Sequence, residues 1–177
     1  MILLGSVVNG GAVVVGGLVG MFVGKLLPER LRTSVMAALS LMTIGIAVPG
    51  LLKSNNALIP IISMVVGTLI GELLDIDSAV NKLGEKLQKR FSGSRVTEGF
   101  VTGSLVFAVG ALAVMGPLES GLQHQHSLLF SKSVIDGVAS IVFTSTMGLG
   151  VALSGITVFV VEGSIALLAS VVAPYLG

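Results

Sequence analysis

Four ionisable side chains fall in otherwise apolar stretches of this sequence: Glu72 at the end of its run, where a structural place at the interface is expected, and Lys132, Asp136 and Glu162. A charge in a hydrocarbon-facing helix is costly, so such residues face a protein interior or a water-filled path and mark transport or proton-relay sites. Lys132 and Asp136 are four residues apart, which puts them on one helix face where they can pair. Their place near the start of their apolar run is also that of an interfacial anchor. Glu162 lies about five residues into its run, ~8 Å deep at ~1.5 Å per residue, with no cation near it in sequence. It must take a proton, find a partner on another helix, or face water. Asn9 is the one carboxamide in the first apolar run; it needs hydrogen-bond partners, either as glue between helices or at a site. His124 and His126 are spaced for weak metal binding but lack further ligands, so no metal or cofactor is expected.

A second group of candidates is neutral. Ser40, Thr43 and Gly45 fall in one Gly/Ser/Thr-rich segment, and Ser145, Thr146, Gly148 and Gly150 in another. Such segments can unwind where they line a cavity, freeing backbone groups for a solute or ion. Small residues also simply allow helices to pack closely. There is no nucleophile elbow, no zinc-hydrolase helix and no phosphate loop, so the chain is not read as an enzyme.

The elements that must position these groups are membrane helices. Of 177 residues, 53% are hydrophobic and 11% charged, against about 25% charged in a soluble domain. The mean hydropathy is +1.02. There is no cysteine, which excludes disulfides and thiolate metal sites, and the net charge of +1, spread over short loops, excludes a nucleic-acid surface. A spanning helix needs about 20 mostly apolar residues. Runs over 2–24, 33–52, 57–74, 99–118, 128–154 and 156–173 predict an all-α polytopic bundle of about six transmembrane helices. The last two are divided only at Ser154-Gly155. The first run has no basic leader, so it is expected to be a retained helix.

Eight Lys/Arg residues fall on loops 1–2, 3–4 and 5–6 and two, Lys53 and Lys132, on the other side, which places the first set in the cytoplasm. Ile76, Val80, Leu83, Leu87 and Phe91 recur at helical spacing opposite a basic face, predicting an amphipathic cytoplasmic helix within 75–98. It joins two membrane units, 1–74 and 99–177.

These units resemble each other. Residues 40–50 match 145–155 at five of eleven positions, with three aliphatic exchanges; Gly5, Val15 and Gly16 align with Gly99, Val109 and Gly110. Three spans per unit is odd, so the second unit is expected inverted relative to the first, as in many secondary transporters with a site between repeats. Gly16, Gly20 and Gly24 recur every four residues and form a smooth face suited to close helix contact, within the chain or with a second copy in a homo-oligomer.

Gly5-Ser6-Val7-Val8-Asn9, Leu27-Pro28-Glu29-Arg30-Leu31-Arg32, Gly71-Glu72-Leu73-Leu74-Asp75-Ile76-Asp77, Glu98-Gly99-Phe100-Val101-Thr102 and Lys132-Ser133-Val134-Ile135-Asp136-Gly137 occur in this order. In these motifs the chain resembles the DUF554 family of multi-spanning prokaryotic membrane proteins. The resemblance runs from Gly5 to about Ala169 and implies an inner-membrane, multi-pass location and further hydrophobic segments beyond this end. It supplies no substrate. The expected function is a small-solute or ion transporter or channel in the lipid bilayer; the alternative is a scaffold or accessory subunit for other membrane proteins. A polar cavity between spans two and five separates the first from the second.

Overall fold

A computed structural model of the chain describes residues 1–52, 58–75 and 96–175, with isolated positions 78, 82, 85 and 86. The described residues form helices α1 (Leu4–Val23), α2 (Glu29–Leu52), α3 (Leu58–Leu73), α4 (Val96–Ala108), α5 (Ala111–Gln123), α6 (Ser127–Met147) and α7 (Gly150–Val172), with short 3-10 turns at Gly24–Leu26 and Ala173–Tyr175. The amphipathic helix expected within 75–98 falls almost wholly outside the described residues.

Helices α1, α6 and α7 are each long and apolar enough to cross a membrane, and α4 with α5 form a fourth crossing if the pair is counted as one span bent by 57°. The fold is therefore all-helical and membrane-type, with three or four such spans among the described residues.

Glycine sets how the helices meet. An added Cβ at Gly20 would come within 2.5 Å of the Ile141 carbonyl oxygen, and one at Gly10 within 2.8 Å of the Gly155 oxygen. Gly16 and Gly24 are pressed just as closely onto Gly137 and Ser145. The Gly16–Gly20–Gly24 face is thus filled by α6 of the same chain. Small residues permit this approach, and the gain is van der Waals contact and interhelical hydrogen bonding, since lipid offers no hydrophobic drive for helix association. Ser140 donates to the Val13 carbonyl at 2.7 Å, and Ser104 to Thr157 at 3.1 Å.

These contacts fix helix directions. Gly5, Gly20 and Gly24 lie beside Leu129, Ile141 and Ser145, so α1 and α6 run parallel. Gly10 and Gly17 lie beside Phe159 and Ala152, so α1 and α7 are antiparallel. Gly99, Gly103 and Gly121 meet Val151, Ser154 and Ala166, so α4 and α5 follow α7. Gly24, Val96 and Gly148 consequently share one end of the bundle, and Ile2, Ser120 and Ala169 the other. The core of the described residues is α1 with α4–α7, so α1 packs across the boundary expected between the units 1–74 and 99–177. Helix α2 touches it through Met36 and Leu39, and α3 is exposed along nearly its whole length.

The division between the last two spans lies at Gly148–Leu149 and not at Ser154-Gly155. Gly148 ends α6 with φ +77°, a conformation that costs glycine little. Ser154 and Gly155 lie inside α7, where the serine hydroxyl bonds back to the Val151 carbonyl and the glycine makes room for Gly10. That serine–glycine pair is a packing contact. Starting α7 at Gly150 carries Glu162 much deeper: it lies twelve residues in, ~18 Å along the helix.

Candidate functional site

Four polar side chains meet between α1, α6 and α7. Asn9 and Glu162 are fully buried, and Lys132 and Asp136 are 5% and 6% exposed. Asn9 Nδ2 donates to Asp136 Oδ2 at 3.1 Å and to Glu162 Oε1 at 2.8 Å, tying α1 to both other helices. Lys132 Nζ bonds Asp136 Oδ2 and lies 3.3 Å from Glu162 Oε1. Lys132 and Asp136 share a face because they are one helical turn apart. Asp136 is the tenth of 21 residues of α6, so it sits at mid-helix and not at the interface, which its place in the apolar run had left open as an alternative.

The third Lys132 contact is to the backbone: Nζ donates to the Phe107 carbonyl at 2.6 Å. That carbonyl lies one residue before the end of α4, where the ladder stops and the chain turns by 57° into α5. A broken helix frees backbone groups, and these persist in a membrane only where protein or water satisfies them. Lys132 is that satisfaction. The break beside Lys132 therefore falls in span four, at Val109–Gly110; of the two Gly/Ser/Thr-rich segments, that of span two stays helical, and that of span five holds the Gly148–Leu149 turn between α6 and α7. α2 runs on through Leu52, and α6 is regular up to Met147.

A cavity of about 260 Å³ opens beside the break. Its wall includes Val109, Gly110, Lys132 and Asp136, and across from them Ser40 and Thr43 of α2. Both hydroxyls bond to carbonyls in their own helix, Ser40 to Met36 and Thr43 to Leu39. Gly45 is exposed, with open space around it. Ser145, Thr146, Gly148 and Gly150 lie at the end of the bundle, ~14 Å or more along the helix axis from Asp136. Ser145 bonds to the Val142 carbonyl, Thr146 to that of Phe143, and Gly150 packs on Val96 and Phe100. Of the sequence candidates, Asn9, Asp136 and Glu162 come together in one cluster, Ser40 and Thr43 face the cavity, and the other five lie elsewhere.

Lys132, expected only as a pairing partner of Asp136, and the Phe107 carbonyl, which was not a candidate, complete the cluster. The lysine carried a legible signal, its spacing from Asp136 in an apolar run. The carbonyl carried none, because any residue supplies one. His126 Nδ1 lies 2.7 Å from the Ser120 hydroxyl, which donates to the Ile2 carbonyl; among the described residues no group of three or more metal-ligating side chains occurs.

Three buried oxygens near this region have no hydrogen-bond partner: Glu162 Oε2, Asn9 Oδ1 and Ser6 Oγ. Ser6 precedes Asn9 by three residues on the same face of α1. With Lys132 charged and both carboxylates ionised, the cluster carries a net charge of −1. Such a site can exchange a positive charge with the cavity that Asp136 lines.

Comparison with known proteins gives the same class. The family model described as "Protein of unknown function (DUF554)" matches residues 4–177. The chain is 28% identical over 173 residues to the "Uncharacterized membrane protein YdfK" of Bacillus subtilis (strain 168), covering 96% of this chain and 74% of that protein. It is 26% identical over 178 residues to the "Uncharacterized protein YqgA" of Escherichia coli (strain K12), covering 97% and 76%. No solved structure matches.

Proposed function

The chain belongs to the DUF554 family of membrane proteins, and on that premise we propose that it is a multi-pass inner-membrane transporter of a small solute or ion. Its site is the cavity beside the break at Val109–Gly110. The observation that carries this reading is the broken helix itself: a freed backbone carbonyl, held by a buried lysine that also meets two buried carboxylates, all beside a cavity. Discontinuous helices with ionisable groups at mid-span are how secondary transporters build sites in the membrane. A purely structural bundle gains nothing from this arrangement, since buried ion pairs contribute little net stability.

In this reading α2 and α3 also cross, giving six spans in two inverted units. The helix ends support it: α1 runs one way, and α4 starts at the end where α1 stops, which requires an even number of crossings between them. The basic residues Lys25, Arg30 and Arg32 put that end in the cytoplasm. Cysteines introduced at Ser34 and Gln125 are then expected on opposite sides of the membrane. In intact cells an impermeant thiol reagent labels Gln125→Cys and spares Ser34→Cys; the reverse pattern inverts the topology. The scaffold alternative draws on the exposed apolar length of α3, which fits another membrane protein as well as it fits lipid.

Flux decides between them. In proteoliposomes the full chain is expected to give solute-dependent currents or uptake for at least one class in a panel of inorganic ions and small organic acids, amines and sugars. Modifying Ser40→Cys with a bulky thiol reagent fills the cavity and is expected to cut that flux at least tenfold. A panel without any signal sinks the transport reading.

A further inference from the structure

We propose that the buried cluster holds one exchangeable proton, seated on Glu162 Oε2 against the Asn9 amide, with Asp136 as its connection to the cavity. This names the coupling ion of the transporter proposed above, and it rests on that reading only for the word coupling.

The inference comes from counting donors. An ammonium has three N–H groups, and those of Lys132 face the Phe107 carbonyl, Asp136 Oδ2 and Glu162 Oε1. A carboxamide has two, and those of Asn9 go to Asp136 Oδ2 and Glu162 Oε1. All five N–H donors are committed, and Glu162 Oε2 is left without a donor although the residue is fully buried; the one other buried donor named here, the Ser6 hydroxyl, makes no hydrogen bond to it. An ionised carboxylate oxygen in that position keeps neither water nor partner, which is the costliest state for a buried charge. The second orphan, Asn9 Oδ1, is an acceptor without a donor. It hangs from the same carbon as the Asn9 nitrogen that is 2.8 Å from Glu162 Oε1. One proton on Oε2 answers both defects. It neutralises the net charge, and the new O–H can turn to Asn9 Oδ1, closing an acid–amide pair.

No other charge can do this. Among the described residues α7 carries no other ionisable side chain and α1 none; α6 brings only Lys132 and Asp136; α4 offers the Phe107 carbonyl; and Glu119 of α5 makes no ion pair with the cluster. Release breaks the O–H bond with its electron pair left on Oε2. The proton passes to the Asp136 carboxylate, which lines the cavity, and from there to water. Lys132 stays an ammonium throughout, so the cluster alternates between net charge 0 and −1.

The test uses the full chain in lipid nanodiscs. Infrared spectra at neutral pH are expected to show the carbonyl stretch of a buried protonated carboxyl group, shifted in deuterium oxide. Glu162→Gln, which keeps the shape and supplies an N–H where the proton sat, removes the band. In the wild-type chain carbon-13 carboxyl-labelled glutamate shifts the band and carbon-13 carboxyl-labelled aspartate does not. Asp136→Asn weakens it, because ionised Glu162 then balances Lys132 by itself. Wild-type thermal stability is expected to fall as pH is raised and Glu162 deprotonates, and in Glu162→Gln that alkaline fall disappears. If Glu162→Gln does not fold, the isotope shift in the wild-type chain carries the test. A missing band, a band shifted by labelled aspartate and not by labelled glutamate, or stabilisation by Na+ over K+ and choline at constant pH overturns the proposal; the last assigns the orphan oxygens to a metal cation. These are equilibrium readouts, so a chain that binds the proton but moves no solute fails the transport reading alone.

Discussion

Replacing Lys132 by methionine is expected to cost about 3–5 kcal/mol of stability, the usual result of deleting one partner of a buried ion pair. Lysine is the only cation facing Asp136 and Glu162 among the described residues. Methionine fills the space of its aliphatic stem but leaves the Asp136 carboxylate without its cation beside a second carboxyl group, and the Phe107 carbonyl without its donor. The melting temperature in detergent and the yield in membranes both report the loss. The triple variant Lys132→Met, Asp136→Asn, Glu162→Gln is uncharged, and it is expected to regain most of the stability because the penalty comes from charge and not from volume. It is also expected to be inactive in flux. A single Lys132→Met variant as stable as wild type would show that the ammonium is not in a desolvated cluster.

Gly16→Val is expected to destabilise by about 1–3 kcal/mol or more, the range for forcing extra carbon into a tight contact. Its Cβ would be driven into the Gly137 backbone oxygen, and backbone cannot rotate out of the way. Parting α1 from α6 also lifts Asn9 from Asp136, so stability and any flux should fall together. Gly11 supplies the control. It lies on the same helix with nothing near its missing side chain, so Gly11→Ala gains helix propensity, up to about 1 kcal/mol. Thermal melts of the two variants in one detergent compare them directly. Equal effects would mean that the α1–α6 contact is not held by close approach at Gly16.

Much of the site's chemistry was legible in advance because a charged or carboxamide side chain inside an apolar run is conspicuous in any order of helices. Asn9, Asp136 and Glu162 stood out for that reason, and each lies in the cluster. The Gly16–Gly20–Gly24 spacing marked a contact face equally well, but the partner was not in the pattern. A smooth stripe fits any close helix, and only packing shows that α6 of the same chain fills it.

What the sequence determined by itself is class and composition of the problem: an all-helical membrane chain, a DUF554 member, with a few costly groups that demand partners. Hydropathy and residue type are local properties, and a bilayer makes them decisive. The tertiary structure decided who the partners are, how deep they sit and where a helix breaks. Gly16 and Gly110 align in the internal resemblance, yet Gly16 is mid-helix and Gly110 stands at the bend. The difference is in the surroundings: Gly16 lies against the backbone of Gly137, which needs a straight neighbour, while the break before Gly110 has Lys132 to hold the carbonyl it frees. Glu162 moved from the edge to the middle of its span for the same kind of reason. Ser154 and Gly155 found carbonyl and helix partners that let α7 continue through them, so the turn fell to Gly148, where a positive φ was affordable.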